Sequence, residues 1–434
     1  MEKILVITYY WPPSGGSGVQ RWLKFVKYLP EFGFEPIVIT VDPNKAGYAV
    51  LDKSLEKEIS ADIEVYRTNA KDNFKLYKKI TGKKELPHGG FAGEINDSFK
   101  SKIIRFIRGN FFIPDPRRGW NRYAYKKSCE IIEKYNIKKI ITTSPPHSTQ
   151  LLGLKLKKKY SSIKWIADLR DPWTEIYYYK KILHTFIAKW IDKKYEKNVF
   201  NNADKLVVVS EQIKEMFTKL LNNGDNKINV IPNGFDHSDF INIQPNFSQK
   251  FVITYTGTLG IEYNIKNFIE IISSLQESIK GQIALRFIGV NAEVLKKYNL
   301  DCLTNNIEIL SYLPHNIIIK ELQESSVLLL VIPENKNNKG ILTGKLFEYL
   351  GSMKPILCLG PIDGDASKII RECNAGDCFD YYSKEDMEKF ILHHFKTWEL
   401  NKKLNLLNSS TNTDKYSRQE LTKKLAEIIS EFTS

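Results

Sequence analysis

Short apolar runs alternate with amphipathic stretches along the whole chain, and this alternation predicts a fold of strands and helices. Residues 3–10 (KILVITYY) predict a buried strand, and apolar side chains between 19 and 29 recur at the spacing of one helical face. Continuous apolar runs are typical of parallel strands that are covered on both faces. Further strands of the first half are predicted at 35–42, 137–144, 163–170, 205–210 and 228–233.

The same pattern begins again at residues 251–260 (FVITYTGTLG), which resemble the opening strand and its glycine-ended turn. A helix at 264–278 follows, and then strands within IALRFIGV, IEILSYL, VLLLVIPE and KPILCLGP. We therefore predict an α/β protein of two Rossmann-like, doubly wound domains. Their expected bounds are 1–235 and 236–415, and the segment 416–434 is expected to form a helix that packs back on the first domain.

The net charge and the cysteine spacing limit the partners, the compartment and the metal or disulfide sites that we expect for the chain. Its 434 residues carry a formal net charge of +14, and a basic surface attracts nucleic acid, anionic lipid or phosphorylated substrates. No nucleic-acid-binding motif is visible, so we do not expect nucleic acid as a partner. No run approaches the ~18 apolar residues that span a bilayer, and the five cysteines include no CxxC pair. These features predict a cytoplasmic protein without a zinc site or a disulfide framework.

A glycine-rich loop, WPPSGGSGVQRW, joins the first strand to the first helix. Backbone N–H groups near Gly16 can approach a phosphate closely at the positive end of the helix. Arg21, one turn into the helix, favours anion binding at this loop. The alternative is a tight strand-to-helix turn that binds nothing.

Two later loops carry candidate chemistry at the same end of the sheet, because ligands of doubly wound sheets bind at the carboxyl ends of strands. His147 lies in SPPHS, where two prolines restrict the turn, and it is either a site residue or a structural one. In ADLRDPW, the carboxylates of Asp168 and Asp171 are candidates for facing an acceptor hydroxyl. An ion pair of either one with Arg170 is the alternative.

The loop and helix of 333–357 (PENKNNKGILTGKLFEYLGSMKPIL) carry the most information. A helix is predicted to begin near Thr343 and Gly344, and its N-terminus together with Lys345 suits a diphosphate. Glu348, one turn on, could accept hydrogen bonds from both hydroxyls of a ribose. Alternatively, its carboxylate only complements the helix dipole.

At these residues the sequence resembles the family 4-like glycosyltransferases of the GT-B fold. The likeness covers almost the whole chain, through the N-terminal glycine loop, VVVSEQIKEMF, VIPNGFDHSDF, YTGTLGIEYNIKNF and GKLFEYLGSMKPIL. It implies two domains facing a cleft, with the acceptor on the first and a nucleoside diphosphate donor on the second. It also implies sugar transfer with retention of configuration and without a metal or other cofactor.

The resemblance assigns roles to single residues. Gly16 would lie between the phosphates and the acceptor, and His147 would contact the reacting sugar. Lys266 would bind the diphosphate, and Glu348 would bind the ribose. His147 and Lys266 are the predicted catalytic residues.

Two positions depart from the usual family pattern. Many relatives carry an Arg where this chain has Thr258, and a first Glu where it has Gly340. Backbone and Lys345 contacts would then replace the missing groups. The predicted donor-binding set is Gly16, Arg21, Thr258, Lys266, Thr343, Gly344, Lys345 and Glu348.

We therefore expect a hexosyltransferase that moves a sugar from a nucleoside-diphosphate donor, a UDP-sugar by preference, to a saccharide or lipid-linked saccharide. The expected setting is surface polysaccharide or glycan assembly. DGD at 363–365 resembles a metal-binding DxD, but its place at a predicted helix start favours capping by Asp. The alternatives are a sugar-nucleotide epimerase of the same fold and a non-catalytic nucleotide-sugar-binding or membrane scaffold protein.

An insertion at 71–127 does not follow the strand–helix alternation. Its segment 99–113 combines an apolar stripe with basic residues, which suits an anionic membrane surface. The alternative is a helix that packs on the core. We expect a peripheral position on the cytoplasmic face of the inner membrane. The residues concerned are Phe99, Ile103, Phe106, Ile107, Phe111 and Phe112, with Lys100, Lys102, Arg105 and Arg108.

Overall fold

In the computed structural model, the chain forms two compact units, Met1–Pro232 together with Gln419–Ser434, and Asn233–Arg418. The part of the predicted insertion at 72–98 and the linker residues 242–247 lie outside the described residues. The structure describes residues 1–48, 50–71, 99–176, 179–221, 225–241, 248–260, 262–279, 281–298, 300, 303, 305–401 and 412–433.

The first unit is built on a parallel sheet of seven strands in the order β3-β2-β1-β4-β5-β6-β7. The order reverses between β1 and β4, which pair directly, and this reversal creates a switch point at their carboxyl ends. The strands are β1 (Glu2–Ile7), β2 (Phe34–Val41), β3 (Val65–Thr68), β4 (Lys139–Ser144), β5 (Lys164–Leu169), β6 (Lys205–Val208) and β7 (Ile228–Val230).

Helices cover both faces of this sheet, as the apolar strands require. Leu5 and Ile7 pack in one apolar layer, and Ile4 and Val6 pack in the other. The helices are α1 (Ser17–Tyr28), α2 (Phe99–Phe111), α3 (Asn121–Tyr135), α4 (Ser148–Lys159), α5 (Phe186–Asn202) and α6 (Glu211–Leu220).

The second unit repeats the arrangement with six strands in the order β10-β9-β8-β11-β12-β13, again with parallel pairs. Its switch point lies between β8 and β11. The strands are β8 (Phe251–Thr256), β9 (Ile283–Ile288), β10 (Ile307–Leu310), β11 (Val327–Val331), β12 (Ile356–Leu359) and β13 (Gly376–Phe379).

The helices of the second unit connect these strands, and one further helix returns to the first unit. They are α7 (Lys266–Ser278), α8 (Ala292–Leu295), α9 (His315–Glu324), α10 (Gly344–Gly351), α11 (Asp365–Glu372) and α12 (Lys384–Leu400). The terminal helix α13 (Arg418–Ser430) buries Leu421, Leu425 and Ile429 in the apolar layer that contains Ile4 and Val6. None of the described helices is both long and apolar enough to cross a membrane.

The predicted strands are present, and two further strands were not predicted. β3 and β13 are each four residues long, carry polar side chains and lie at a sheet edge. Such short edge strands lack the continuous apolar run that identifies a central strand. The alternation nevertheless predicts the architecture correctly, because the two doubly wound parallel sheets are present.

Candidate active site

Two loops of the first unit meet at its switch point, the glycine loop after β1 and the SPPHS loop after β4. Gly16 directly precedes α1 with φ of 91° and is exposed, and no atom lies within 4 Å of the place where its Cβ would be. This positive φ favours glycine. The helix start is therefore open on one side, as a site that approaches a ligand through backbone atoms requires.

Arg170 connects these two loops. Its guanidinium donates to the carbonyl oxygens of Gly18 at 2.7 Å, Ser144 at 3.0 Å and Pro145 at 3.3 Å. The alternative interpretation of the sequence was an ion pair of Arg170 with Asp168 or Asp171, but these hydrogen bonds go to backbone carbonyls instead. Asp171 lies half-buried, and burial raises the pKa of its carboxyl while Arg170 lowers it.

Arg21 and Asp168 form the buried ion pair of this region. An Arg21 Nη lies 2.9 Å from Asp168 Oδ1, and both side chains are almost wholly inaccessible. Trp22 Nε1 and Thr143 Oγ1 also donate to the Asp168 carboxylate, at 2.7 and 2.8 Å. A second guanidinium nitrogen of Arg21 donates to the Pro232 carbonyl. These contacts favour a structural role over the predicted donor and acceptor contacts, because both charges are already satisfied inside the protein.

His147 immediately precedes α4 and stacks on Trp173, with ring centroids 4.8 Å apart and planes 14° apart. Burial, helped by the charge of Arg170, lowers the pKa of His147 to about 3. Its Nδ1 is buried and has no hydrogen-bond partner among the described residues. The imidazole is therefore neutral at physiological pH, and it can offer a hydrogen bond but not a positive charge.

Two buried carboxylates of α5 hold the Trp173 loop, and the sequence gave no sign of them. Asp192 accepts from Trp173 Nε1 at 2.8 Å and from the Tyr179 hydroxyl at 2.9 Å. Glu196 accepts from the backbone N–H and the hydroxyl of Thr174 at 3.0 and 2.7 Å. Burial raises the pKa of Asp192 to about 6 and that of Glu196 to about 7. In this way α5 holds the Trp173 ring on which His147 stacks.

Lys345, the glycine turn after β8 and the N-terminus of α10 lie together at the switch point of the second unit. Gly257 follows β8 with φ of 91°, and a Cβ at this position would lie 3.3 Å from Lys345 Nζ. The ammonium lies 4.0 Å from the centroid of the Tyr255 ring, whose hydroxyl donates to the carbonyl of Thr258. Burial lowers the pKa of Lys345 to about 7, and Glu348 acts in the opposite direction.

The N-terminus of α10 provides donors beside this lysine. Thr343 is the N-cap residue but makes no side-chain capping bond, and its buried hydroxyl oxygen has no partner among the described residues. Gly344 begins the helix, and the first backbone N–H groups of a helix have no intrahelical acceptor. This end of α10 can therefore receive an anion.

Glu348 lies one turn into α10 and contacts a histidine that the sequence did not single out. Its Oε1 lies 3.8 Å from His315 Nδ1, and His315 Nε2 lies 3.1 Å from Asp239 Oδ2. Burial raises the pKa of Glu348, and His315 partly offsets this effect. The only local signal was the position of His315 directly after Pro314.

Lys266 is exposed at the start of α7. Its side chain is 73% exposed, and its Nζ is 3.9 Å from Glu270. It lines a cavity of about 750 Å³ together with Tyr263, Asn264 and Glu334. Thr258, the departure from the family pattern, is exposed and contributes its carbonyl to Tyr255.

The DGD segment does not cap its helix as predicted. α11 begins at Asp365, but its N-cap residue is Gly364, which has no side chain to accept a hydrogen bond. Asp363 instead pairs with Lys339 on the surface. Asp365 stands in the first turn, where a carboxylate complements the helix dipole. Within the described residues, no group of three or more His, Cys, Asp or Glu side chains could hold a metal ion.

The two sheets define the class of the protein, and comparisons with known structures agree. The chain is similar to a glycosyltransferase from Rickettsia africae ESF-5, with a TM-score of 0.62 at 17% identity over 100% of this chain and 99% of that one. It is similar to Anabaena HepE in complex with UDP and glucose, with a TM-score of 0.61 at 11% identity over 99% and 100%. It is also similar to a putative UDP-N-acetylglucosamine 2-epimerase from Listeria monocytogenes, with a TM-score of 0.56 at 15% identity over 99% and 96%.

These likenesses confirm the GT-B fold, and at such identities they show the fold alone. Residues 87–239 match the model of Glycosyltransferase Family 4, a segment that covers less than half of the chain. The predicted resemblance to the family 4-like glycosyltransferases is confirmed by this match, which supports a glycosyltransferase. No curated protein sequence gives a significant match.

Proposed function

We propose that the protein transfers a hexosyl group from a UDP-sugar to a saccharide or lipid-linked saccharide, with retention of anomeric configuration. The observation that carries the proposal is the arrangement at the end of β8, where Lys345 stands beside Gly257 and the start of α10. It combines a cation, free backbone donors and close backbone access, which together suit a diphosphate.

A nucleoside diphosphate leaves a sugar carrying negative charge. An ammonium and a helix N-terminus that are already in place stabilise this charge as it develops, without reorganisation at the moment of reaction. Lys345 and Thr343 are our candidates for this role on the second unit. Uridine is supported by Anabaena HepE, whose structure contains UDP and glucose.

Glu348 is our candidate for the ribose hydroxyls. Glu348 is half-buried, its Oε1 lies 3.8 Å from His315 Nδ1, and the other ring nitrogen of His315 lies 3.1 Å from Asp239. This support orients the carboxylate while its remaining lone pairs are available to a ligand. Lys266 would act from the rim of its own cavity, where its exposed side chain can move toward a phosphate.

His147 is our candidate for contact with the transferred sugar. Because the imidazole is neutral, we assign it a hydrogen bond to a sugar hydroxyl and not a proton transfer. The acceptor proton would pass to a phosphate oxygen of the leaving group, which removes the need for a carboxylate nucleophile. A lipid-linked acceptor implies a peripheral position on the cytoplasmic face of the inner membrane, in surface polysaccharide or glycan assembly.

A panel of nucleoside diphosphates and nucleotide sugars tests the donor site. A ligand at 100 times its dissociation constant should stabilise the protein by about 2.7 kcal/mol in a thermal-shift measurement. Lys345→Met should weaken UDP binding about 10- to 100-fold, as expected for a lost hydrogen bond to a charged group. Lys345→Arg should retain most of the affinity. The matched control is Lys320→Met, which removes an exposed lysine of α9 and should leave binding unchanged.

Transfer itself is tested with the nucleotide sugar that binds best and a set of saccharide and polyprenyl-diphosphate-linked acceptors. Sugar transfer, unaffected by EDTA, is the expected result. A changed sugar nucleotide formed without any acceptor would identify an epimerase instead. Nucleotide binding with neither product would favour the non-catalytic alternative.

A further inference from the structure

Large apolar side chains stand in solvent at the start of α5, and they were not singled out in the sequence. Phe186 is 83% exposed and Trp190 is 56% exposed, and Ile187 between them is also exposed. These residues share one helical face, at the spacing of three and four positions. Exposed contiguous apolar side chains of this size mark an interaction site more often than an ordinary surface.

The end of α2 is joined to the start of α5, so their exposed side chains form one surface. The Asn110 side chain donates to the Leu183 carbonyl at 2.8 Å and accepts from the Thr185 N–H at 2.7 Å. The residues that follow this joint are Phe111 and Phe186, and both are exposed. Residues of both helices also line one cavity of about 500 Å³, Phe111 from α2 and Ile191 and Tyr195 from α5.

The joined surface extends along α2. Phe99, Ile103 and Phe106, from the apolar stripe seen in the sequence, are exposed, whereas Ile104 packs in the interior. We call this surface the apolar patch. It comprises Ile103, Phe106, Phe111, Phe186, Ile187 and Trp190.

Near the apolar patch, the acidic side chains of α5 are buried and the basic ones are exposed. On α5 the acidic side chains of Asp192 and Glu196 point inward and are buried, whereas Lys189, Lys193 and Lys194 are exposed. The Lys194 ammonium lies 4.9 Å from the centroid of the Trp190 ring. α2 has no acidic residue at all. The solvent-facing charge of the two helices is therefore basic, and it complements an anionic surface.

We propose that the apolar patch docks on an anionic lipid bilayer, with the phenylalanines and Trp190 inserted at the headgroup level and the lysines of α5 on the lipid phosphates. Phe, Trp and Lys are the side chains that anchor interfacial helices. The inference deepens the proposed function, since docking would bring the enzyme to a lipid-linked acceptor, but its test does not depend on sugar transfer.

Flotation with vesicles of phosphatidylcholine and phosphatidylglycerol tests the docking. The full chain should float with the mixed vesicles and not with phosphatidylcholine alone, and high salt should weaken the binding without abolishing it. The variant Lys189→Gln/Lys193→Gln/Lys194→Gln should partition about 100-fold more weakly, since each lysine near an anionic surface contributes about a factor of five to binding. The matched control, Lys126→Gln/Lys158→Gln/Lys219→Gln, removes the same charge from exposed positions of other helices and should bind like the wild type.

The apolar contribution is tested by Phe186→Ser/Trp190→Ser, which should weaken the part of binding that resists salt. Its control is Leu51→Ser/Leu220→Ser, which changes exposed apolar side chains elsewhere. A wild type that ignores anionic vesicles, or controls that weaken binding as much as the test variants, would overturn the proposal. All four variants should bind UDP normally, so a failure of docking is distinguishable from a failure of the donor site.

Discussion

At the scale of single residues, burial sets the chemistry of the candidate site. Lys345 and His147 both lose affinity for a proton because their positive forms are poorly solvated, and Glu348 gains affinity for the same reason. Lys345 differs from Arg21, whose charge is matched by the buried carboxylate of Asp168. A lysine without such a partner is suited to binding an anion from solution.

Lys345 should make nucleotide binding depend on pH. Its pKa is about 7 in the free protein, and a bound diphosphate raises it by favouring the charged form. Binding should therefore take up a proton above neutral pH, and affinity should fall as the pH rises from about 7 to about 9. Calorimetry at about pH 8 in buffers of different ionisation enthalpy measures the uptake. Lys345→Arg, which stays charged, should show neither effect, and a pH-independent wild type would contradict the assignment.

The rate of sugar transfer should show no titration of His147 between about pH 5 and pH 8, because the pKa of His147 is about 3. His147→Ala should lower kcat by about 2- to 12-fold through the loss of one neutral hydrogen bond, with UDP affinity unchanged. The matched control is His393→Ala, an exposed histidine of α12. Equal activity of the two variants would show that His147 only supports Trp173.

At the scale of elements, loops that begin helices are tied together by single buried side chains. Arg170 joins the start of α1 to the loop before α4, and Asp192 and Glu196 attach the Trp173 loop to α5. A buried guanidinium with several acceptors holds such loops in one arrangement because it donates to carbonyls of both loops at the same time. The α5 helix thus has two separate tasks, since its carboxylates hold the Trp173 loop and its first apolar residues face solvent.

Arg170→Met should destabilise the first unit by about 2–4 kcal/mol, since three backbone carbonyls each lose a hydrogen bond from the buried guanidinium. Arg170→Lys should recover only part of this loss, because a point charge cannot replace the planar fork of arginine. Urea unfolding monitored by tryptophan fluorescence measures both. For comparison, Arg371→Met on the surface of the second unit should cost less than about 1 kcal/mol. Comparable losses at the two arginines would contradict the role assigned to Arg170.

At the scale of the whole molecule, the chain completes its first unit only with its last helix. It leaves that unit at Pro232, builds the second unit, and returns at Gln419. Leu425 and its neighbours on α13 then fill an apolar layer against the β1 side of the first sheet. The stability of the first unit therefore depends on a segment that is synthesised only after the second unit.

Leu425→Ala should lower the free energy of unfolding of the first unit by about 2–5 kcal/mol, the usual cost of emptying a fully buried leucine site. Unfolding in urea, followed by circular dichroism, measures the change. Leu400→Ala, at an exposed leucine that ends α12, is the control and should be nearly neutral. If the two variants were equally stable, α13 would contribute little to the core.

The sequence by itself determined the two doubly wound sheets and most of their strands. Runs such as EPIVITVD predict a buried parallel strand because hydrophobic periodicity is a local property that neighbouring residues share. Gly16 and the start of α10 were predicted in the same way, since a strand-to-helix turn is specified by a few neighbouring residues. The exposed aromatic stripe of α2 was likewise visible as a periodic pattern.

Only the tertiary structure decided which charges meet. The partner of Arg21 is Asp168, 147 residues away, and the support of Glu348 comes from His315 on another helix. No local pattern encodes such pairs, because they depend on which elements pack together. The same packing sets the pKa of Lys345 through desolvation and turns the apolar face of α5 outward while its carboxylates are buried. Solvation is a property of the folded surroundings, and so these features could not be predicted from the order of residues alone.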